Sequence, residues 1–244
     1  MSDNNYLQPN WPAPPNVHAC VTTRNGGVST GPFASFNLNS VVGDNPAAVA
    51  TNRQILRNTL QLPAEPTWLK QVHGTRVIDA AKESPMAEAD ASIAHGAGSV
   101  CAVLTADCLP VLFCDKAGSR VAAAHAGWRG LADGVLEATV DAMDTAPGNI
   151  LAWFGPSIGP KNFVVDDDVR NIFIQHDPAA REAFEDHNGQ WLGNMYTLAR
   201  QRLKACGITQ ISGGGLCTYE DSKRFYSLRR DETTGRMASL VWLA

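Results

Sequence analysis

No apolar run in the 244 residues is long enough to cross a bilayer, which takes about 20 residues, and the N-terminal MSDNNYLQPNWPAPPN has neither the basic flank nor the apolar core of a secretory signal. A soluble, cytoplasmic protein with no membrane partner is expected. The 20 Lys and Arg are outnumbered by 24 Asp and Glu, for a net charge of -4. Without a dense cationic cluster there is no footprint for nucleic acid, so a small molecule is the default substrate, and a local basic pocket remains open. The six cysteines, at positions 20, 101, 108, 114, 206 and 217, contain no C-x-x-C pair and suggest reduced thiols rather than a disulfide framework. No internal repeat, long linker or low-complexity block divides the chain. With 44% hydrophobic residues it has ample material for a core, and residues 1–244 are expected to form one domain behind a polar, Pro-rich N-terminal arm.

What is present centres on the stretch from Val100 to Leu131. Two apolar runs, Val100–Thr105 and Leu109–Cys114, are followed across the turn Lys116–Ser119 by Arg120–His125, which predicts adjacent strands. Polar residues stand where the apolar runs stop: Asp107 and Cys108 at the first break, then His125, Trp128 and Arg129 leading into a helix. Strand ends are where a rigid scaffold hands side chains to a site.

Elsewhere the pattern predicts a strand over Val17–Thr23, with His18 and Cys20 packed on its buried face, and then the turn Arg24-Asn25-Gly26-Gly27, where Arg24 is available for an anion. A helix capped by Asp44 or Asn45 buries Ala50, Ile55, Leu56 and Leu60. Thr67–Val72 alternates like a strand and leaves His73 at its end; Ala89–Ile93 is a further short strand, and His95 sits in a Gly-flanked turn. Leu131, Val135, Leu136, Val140 and Met143 mark one helix, Ile150–Phe154 a buried strand, and Gly155–Pro160 a loop that needs no ligand to explain it. Asp166–Asp168 suit a helix N-terminus, helices are expected over 178–186 and 194–206 with a surface His187 between them, and the last strand covers Ala238–Leu243. Arg229 or Arg230 could meet a phosphate or a carboxylate.

His73, Cys108 and His125 are too far apart for a zinc finger, yet a catalytic zinc takes ligands from separate strand ends and keeps one position open. Cys108 and His125 could equally form the thiolate–imidazole pair of a cysteine hydrolase, with His73 elsewhere. The residues alone do not decide between these.

The segments TRNGGVS, SFNLN, GDNP, KQVHG, TADCLPVLF, AAAHAGWRG, CTY and FYSLRRD, spread over nearly the whole chain, resemble the bacterial YfiH family, also called polyphenol oxidase, laccase-domain protein or peptidoglycan editing factor. TADCLPVLF followed by AHAGWRG is the specific part. The resemblance implies an α/β (mixed α+β), CNF/YfiH-like fold of mixed β-sheets packed together and flanked by helices, with His73, Cys108 and His125 as metal ligands. It implies a zinc-dependent purine nucleoside enzyme that phosphorolyses adenosine, inosine and S-methyl-5'-thioadenosine and deaminates adenosine, with the nucleoside and phosphate as partners. For deamination the H-x-E and P-C-x-x-C pattern of common zinc deaminases is missing, so Asp107 is the first choice of proton shuttle. Arg24, Arg129 and Arg229, or the amides before Gly130, could take the phosphate. Oxidase chemistry fits less well: six histidines without an H-x-H pair cannot build a four-copper centre, although one site could take copper in vitro. Two other classes stay open, a cysteine or zinc hydrolase of a peptidoglycan-precursor amide and a non-catalytic zinc-stabilised binding protein.

Overall fold

The computed structural model describes residues 5–83 and 86–244, so the first residues of the expected N-terminal arm lie outside the described residues. The strands are β1 (Tyr6–Leu7), β2 (Val17–Thr22), β3 (Val77–Asp79), β4 (Ala91–His95), β5 (Val100–Thr105), β6 (Leu109–Asp115), β7 (Arg120–Ala126), β8 (Ile150–Phe154), β9 (Val164–Val165), β10 (Phe184–His187), β11 (Gln190–Gly193), β12 (Gln210–Gly213) and β13 (Met237–Leu243). The helices are α1 (Pro46–Leu60), α2 (Trp128–Asp133), α3 (Val135–Ala142), α4 (Asp167–His176), α5 (Met195–Ala205) and α6 (Leu228–Asp231). A six-stranded sheet has the order β12-β8-β6-β7-β4-β3, a four-stranded sheet β1-β2-β13-β5 and a small three-stranded sheet β10-β11-β9. Among the strands of the described residues only the outer pairs β12·β8 and β3·β4 run parallel, so the fold is mixed α/β. Among the described residues no helix is long and apolar enough to cross a membrane.

The centre of the molecule follows from strands that are apolar on both faces. Leu109, Val111 and Phe113 of β6 pack with Leu136 of α3 and Leu203 of α5, while Leu112 and Cys114 point the other way into a cluster with Val21, Cys101, Val103 and Val241 of the four-stranded sheet. The far face of that second sheet, with Cys20, Val100 and Leu240, is covered by Leu56 of α1 and by Trp68. The order of layers is therefore helices, six-stranded sheet, four-stranded sheet, helix. In β7 the alanines 122, 123 and 124 are fully buried, and their small side chains let both neighbouring layers close on the strand.

Some local expectations hold and others are revised. In α1 the buried residues are Val49, Asn52 and Leu56, with Ala50 exposed; Asn45 caps it by accepting from the amides of Ala47 and Ala48. The helix after Gly127 breaks at Gly134, whose φ of 103° closes α2 and starts α3. Thr67–Val72 forms only isolated bridges, because Gln71 uses its side-chain amide, in place of backbone, to pair with both polar groups of Leu104. Pro178–Ala183 is a six-residue 3-10 helix followed by β10, and Asn188 and Gly189, with φ of 52° and 83°, fold β10 onto β11 as a hairpin. His18 is exposed and stacks on Trp242 with ring centroids 5.5 Å apart, while Cys20 alone faces the core. His95 ends β4 and is exposed, as is His187; Asp166 caps α4 by accepting from the Val169 amide.

Candidate active site

Strand register explains how residues remote in sequence meet. Antiparallel pairing sets Pro110 of β6 opposite His125 of β7, so Cys108, just before β6, emerges beside the end of β7. On the other side of β7, Ala91 of β4 lies opposite Ala124, which brings Asp90 against His125: the His125 amide donates to the Asp90 carbonyl at 2.7 Å and Asp90 Oδ1 lies 2.7 Å from His125 Nδ1. The same carboxylate accepts the backbone amides of Val72, His73 and Gly74 at 3.1, 2.9 and 2.7 Å. These bonds hold His73 in the left-handed conformation, at φ 61°, and aim its ring inward. Gly127 completes the fit: a Cβ there would stand 2.4 Å from His73 Cδ2 and 3.3 Å from Cys108 Sγ.

The result is a cluster in which the ligand atoms of His73, Cys108 and His125 lie within 4.8 Å of one another. His73 Nε2 is 3.7 Å from Cys108 Sγ, and the two imidazoles meet edge to face with centroids 4.8 Å apart. Tetrahedral zinc with nitrogen at about 2.0 Å and sulfur at about 2.3 Å needs these ligand atoms roughly 3.3–3.5 Å apart, so the group fits once its widest separation closes. Asp90 at Nδ1 fixes the His125 tautomer and leaves Nε2 free to bind a metal, as a carboxylate behind a metal-binding histidine does. His125 is buried, Cys108 half-buried and His73 exposed, so the cluster opens outward.

Electrostatics separate this thiol from its relatives. Burial pushes Cys20, Cys101 and Cys114 up to about 12, which keeps them protonated packing residues. Burial acts upward on Cys108 too, but the charge and hydrogen bonds of His125 and then His73 outweigh it and hold the thiol below its ordinary value. Desolvation opposes the charge on His125, while the Cys108 thiolate and the Asp90 carboxylate favour it and raise its pKa. A thiolate is the form that binds a soft metal or attacks a carbonyl.

Asp107 is held by hydrogen bonds at both carboxylate oxygens and at its carbonyl. Its Oδ1 accepts from Thr218 Oγ1 at 2.6 Å and its Oδ2 from the Arg229 amide at 2.7 Å, while its carbonyl accepts from Ser157 Oγ and the Ile158 amide at 2.7 and 2.9 Å. It adopts φ 88° and ties α6 and the Gly155–Pro160 loop to the Cys108 turn. That loop therefore does more than turn the chain, because Ile158 forms part of a cavity wall.

Two cavities share Ala106, Cys108 and Leu228. One, of about 440 Å³, is walled by Trp128, Ile158, Phe163 and Met195, with Asp107, Arg229 and Glu232 as its polar groups. The other, of about 370 Å³, contains His73 and His125 together with Asn39, Gln71, Thr105 and Arg236. Of the arginines singled out in the sequence only Arg229 reaches a cavity, and its Nη1 donates to the Val164 carbonyl. Arg24 lies outside both: it donates to the carbonyls of Ala34 and Ser222 and covers the Tyr226 ring at 4.8 Å. Arg129 is exposed and lies over the Trp128 ring at 4.3 Å. Asp90, Asn39 and Arg236 also lie at the site, though no local motif marks them. The signal for Asp90 was an acidic residue at the mouth of an otherwise apolar strand, and for Arg236 a lone cation heading the buried terminal strand.

Residues 18–244 match the family described as multi-copper polyphenol oxidoreductase laccase. A Pseudomonas aeruginosa protein named purine nucleoside phosphorylase is 53% identical over 242 residues, covering 98% of this chain and 99% of its own length. An Escherichia coli K12 relative named purine nucleoside phosphorylase YfiH is 53% identical over 238 residues, with 97% and 98% covered. Among solved structures, a Neisseria meningitidis protein superposes with a TM-score of 0.95 at 49% identity over 98% of this chain and 99% of that one. A Bacillus licheniformis protein with the name YfiH gives 0.88 at 32% identity, with 93% of each chain covered.

Proposed function

The chain belongs to the YfiH family of laccase-like polyphenol oxidoreductases, and from that membership we propose that it is a zinc-dependent purine nucleoside phosphorylase working at His73, Cys108 and His125. The observation that carries this reading is the cluster itself: two nitrogens and one thiolate sulfur converge beside a cavity whose walls are largely flat or apolar, next to relatives named for this reaction. Zinc, when bound, supplies a Lewis acid that can polarise an oxygen of ribose or phosphate. Soft thiolate and imidazole donors suit zinc, and a single cluster among the described residues provides no place for the several ions of multicopper chemistry. Copper in this one site in vitro would account for oxidase activity as a side reaction.

In phosphorolysis a phosphate oxygen forms the bond to C1′, the C1′–N9 bond breaks with its electron pair on the purine, and the proton released by phosphate ends on the purine. Trp128, Phe163 and Met195 offer the base a flat, dry surface, which excludes the water that would otherwise compete with phosphate. Asp90 orients His125, and Asp107 positions the Cys108 turn by fixing it to α6. Adenosine, inosine and S-methyl-5'-thioadenosine are the proposed nucleosides, with adenosine deamination as a second reaction at the same place. Six unpaired cysteines fit action in the reducing cytoplasm.

One observation favours a second reading. Cys108, His125 and Asp90 also have the order of a thiolate–imidazole–carboxylate triad, as a cysteine hydrolase of a peptidoglycan-precursor amide requires. The convergence of His73 on the same sulfur has no place in a triad and supports the metal. The test is ribose-1-phosphate formation from inosine and phosphate by zinc-loaded and metal-free protein. Turnover that appears with zinc and disappears on chelation is expected; zinc-loaded protein that forms no ribose-1-phosphate, whether or not it cleaves an amide, overturns the proposal.

A further inference from the structure

Resting on the phosphorolytic reading, we infer that Arg236 binds the phosphate co-substrate, in the cavity that also holds His73, Cys108 and His125. The placement comes from register. β13 pairs antiparallel with β5 with Met237 opposite Thr105, so Arg236 continues the strand alongside Ala106 and reaches the Cys108 turn. Its backbone is pinned on the other side, the amide donating to Asn37 Oδ1 at 3.0 Å and the carbonyl accepting from the Leu38 amide at 3.4 Å.

The guanidinium is then only partly engaged. Nη1 donates to the carbonyls of Thr234 and Gly235 at 2.9 and 3.0 Å, which fixes the plane of the group; among the described residues Nε and Nη2 have no protein acceptor and no carboxylate forms an ion pair with it. By contrast Arg202 pairs with Glu137, Arg224 with Asp221 and Arg230 with Asp231. An arginine stays charged at any ordinary pH, and half-buried Arg236 keeps two unused donor nitrogens at the cavity for an anion. Burial lowers the Arg236 pKa, and the nearby negative charges of Cys108 and Asp107 only partly offset this. A tetrahedral oxyanion can accept from both donors of the free Nε–Nη2 edge and bring a counter-charge. Asn39 adds a neutral donor to the same cavity: its Oδ1 accepts from the Val41 amide, which leaves Nδ2 directed away from that bond and without a protein acceptor among the described residues. Because the two cavities meet at Cys108 and Leu228, phosphate here and a base against Trp128 and Phe163 would have the ribose between them, beside the cluster.

Inorganic phosphate is the probe, titrated calorimetrically into the zinc-loaded wild type, Arg236→Gln and Asn39→Asp, with steady-state kinetics on inosine alongside. Arg236→Gln is expected to weaken phosphate binding and raise the KM for phosphate by about tenfold or more, the loss of one charge-assisted contact. The KM for inosine and the zinc content should stay within about twofold. Asn39→Asp retains the acceptor for Val41 and leaves the bonds of Arg236 intact, yet adds a negative charge to the cavity, so it should act in the same direction. Undiminished phosphate affinity in the two variants, or a wild type that binds no phosphate, overturns the site. If the wild type makes no ribose-1-phosphate but binds phosphate through Arg236, the anion site stands and the phosphorolytic reading falls; if turnover is normal and both variants keep the wild-type KM for phosphate, the reverse holds.

Discussion

Asp90 Oδ1 lies 2.7 Å from His125 Nδ1, and the same carboxylate carries the amides of the loop that presents His73, so one side chain positions two of the three residues of the cluster. A metal bound there would depend on a residue that does not touch it. Asp90→Asn should lower zinc affinity about 10–100-fold, the usual loss for an outer-shell partner, with the far-ultraviolet circular dichroism preserved. Competition with a chromophoric chelator measures this, and wild-type affinity would reject the assignment. Burial acts to raise the Asp90 pKa, but the His125 hydrogen bond and charge and the loop amides outweigh it and lower it. Its stabilising contribution is therefore complete above the ordinary carboxylate range and lost as the pH falls through the depressed value, so wild type and variant should converge in stability in strong acid.

Gly127 has an ordinary φ of -64°, so an alanine there meets no backbone strain. Its Cβ would nevertheless overlap His73 Cδ2. Gly127→Ala should thus reduce zinc content nearly as much as His73→Ala, while lowering stability by about 1–3 kcal/mol, the common range for overpacking. Full zinc occupancy by metal analysis would show that the His73 loop moves freely.

Arg24 offers a contrast with Arg236. Its guanidinium holds the carbonyls of Ala34 and Ser222, which lie far apart in sequence, and caps the Tyr226 ring. Arg24→Ala should lower Tm, with a cost of about 1–3 kcal/mol from the freed carbonyls and lost packing, and leave the KM for phosphate unchanged. A raised KM at wild-type Tm would return Arg24 to the anion site.

What could be read from the chain follows from what each residue depends on. Cys108 and His125 were legible because apolar runs stop at them, and β5, β6 and β7 fall almost where the runs lie. Asp90 and Arg236 were not, because their roles come from the registers Ala91 with Ala124 and Met237 with Thr105, which no local pattern states. The hairpin at Asn188-Gly189 carries its own turn signal, but the alanine-rich segment before it has a helix propensity that masks the strand. Gly134 similarly divides a stripe of apolar residues that looks continuous, since its left-handed conformation is invisible to periodicity.

The identity of the chemistry rests on the state of Cys108. As a metal ligand it should react slowly with iodoacetamide in the zinc-loaded protein and quickly after chelation, and adding zinc back should restore both protection and ribose-1-phosphate formation. Substituting Cys108→Ser or His125→Ala should empty the site without unfolding a chain whose sheets have their own cores. In the metal-free protein the neighbouring imidazoles hold the thiol below its ordinary value, so alkylation should stay fast below about pH 8, where an unperturbed thiol with a pKa of about 8.5 slows tenfold per unit. A nucleophile paired with His125 and Asp90 gives the opposite result: metal-free protein would be active and one alkylation per chain would end that activity. Rate of modification, zinc content and turnover measured on the same preparations separate the two, and full purine nucleoside turnover by rigorously metal-free protein would overturn the zinc assignment.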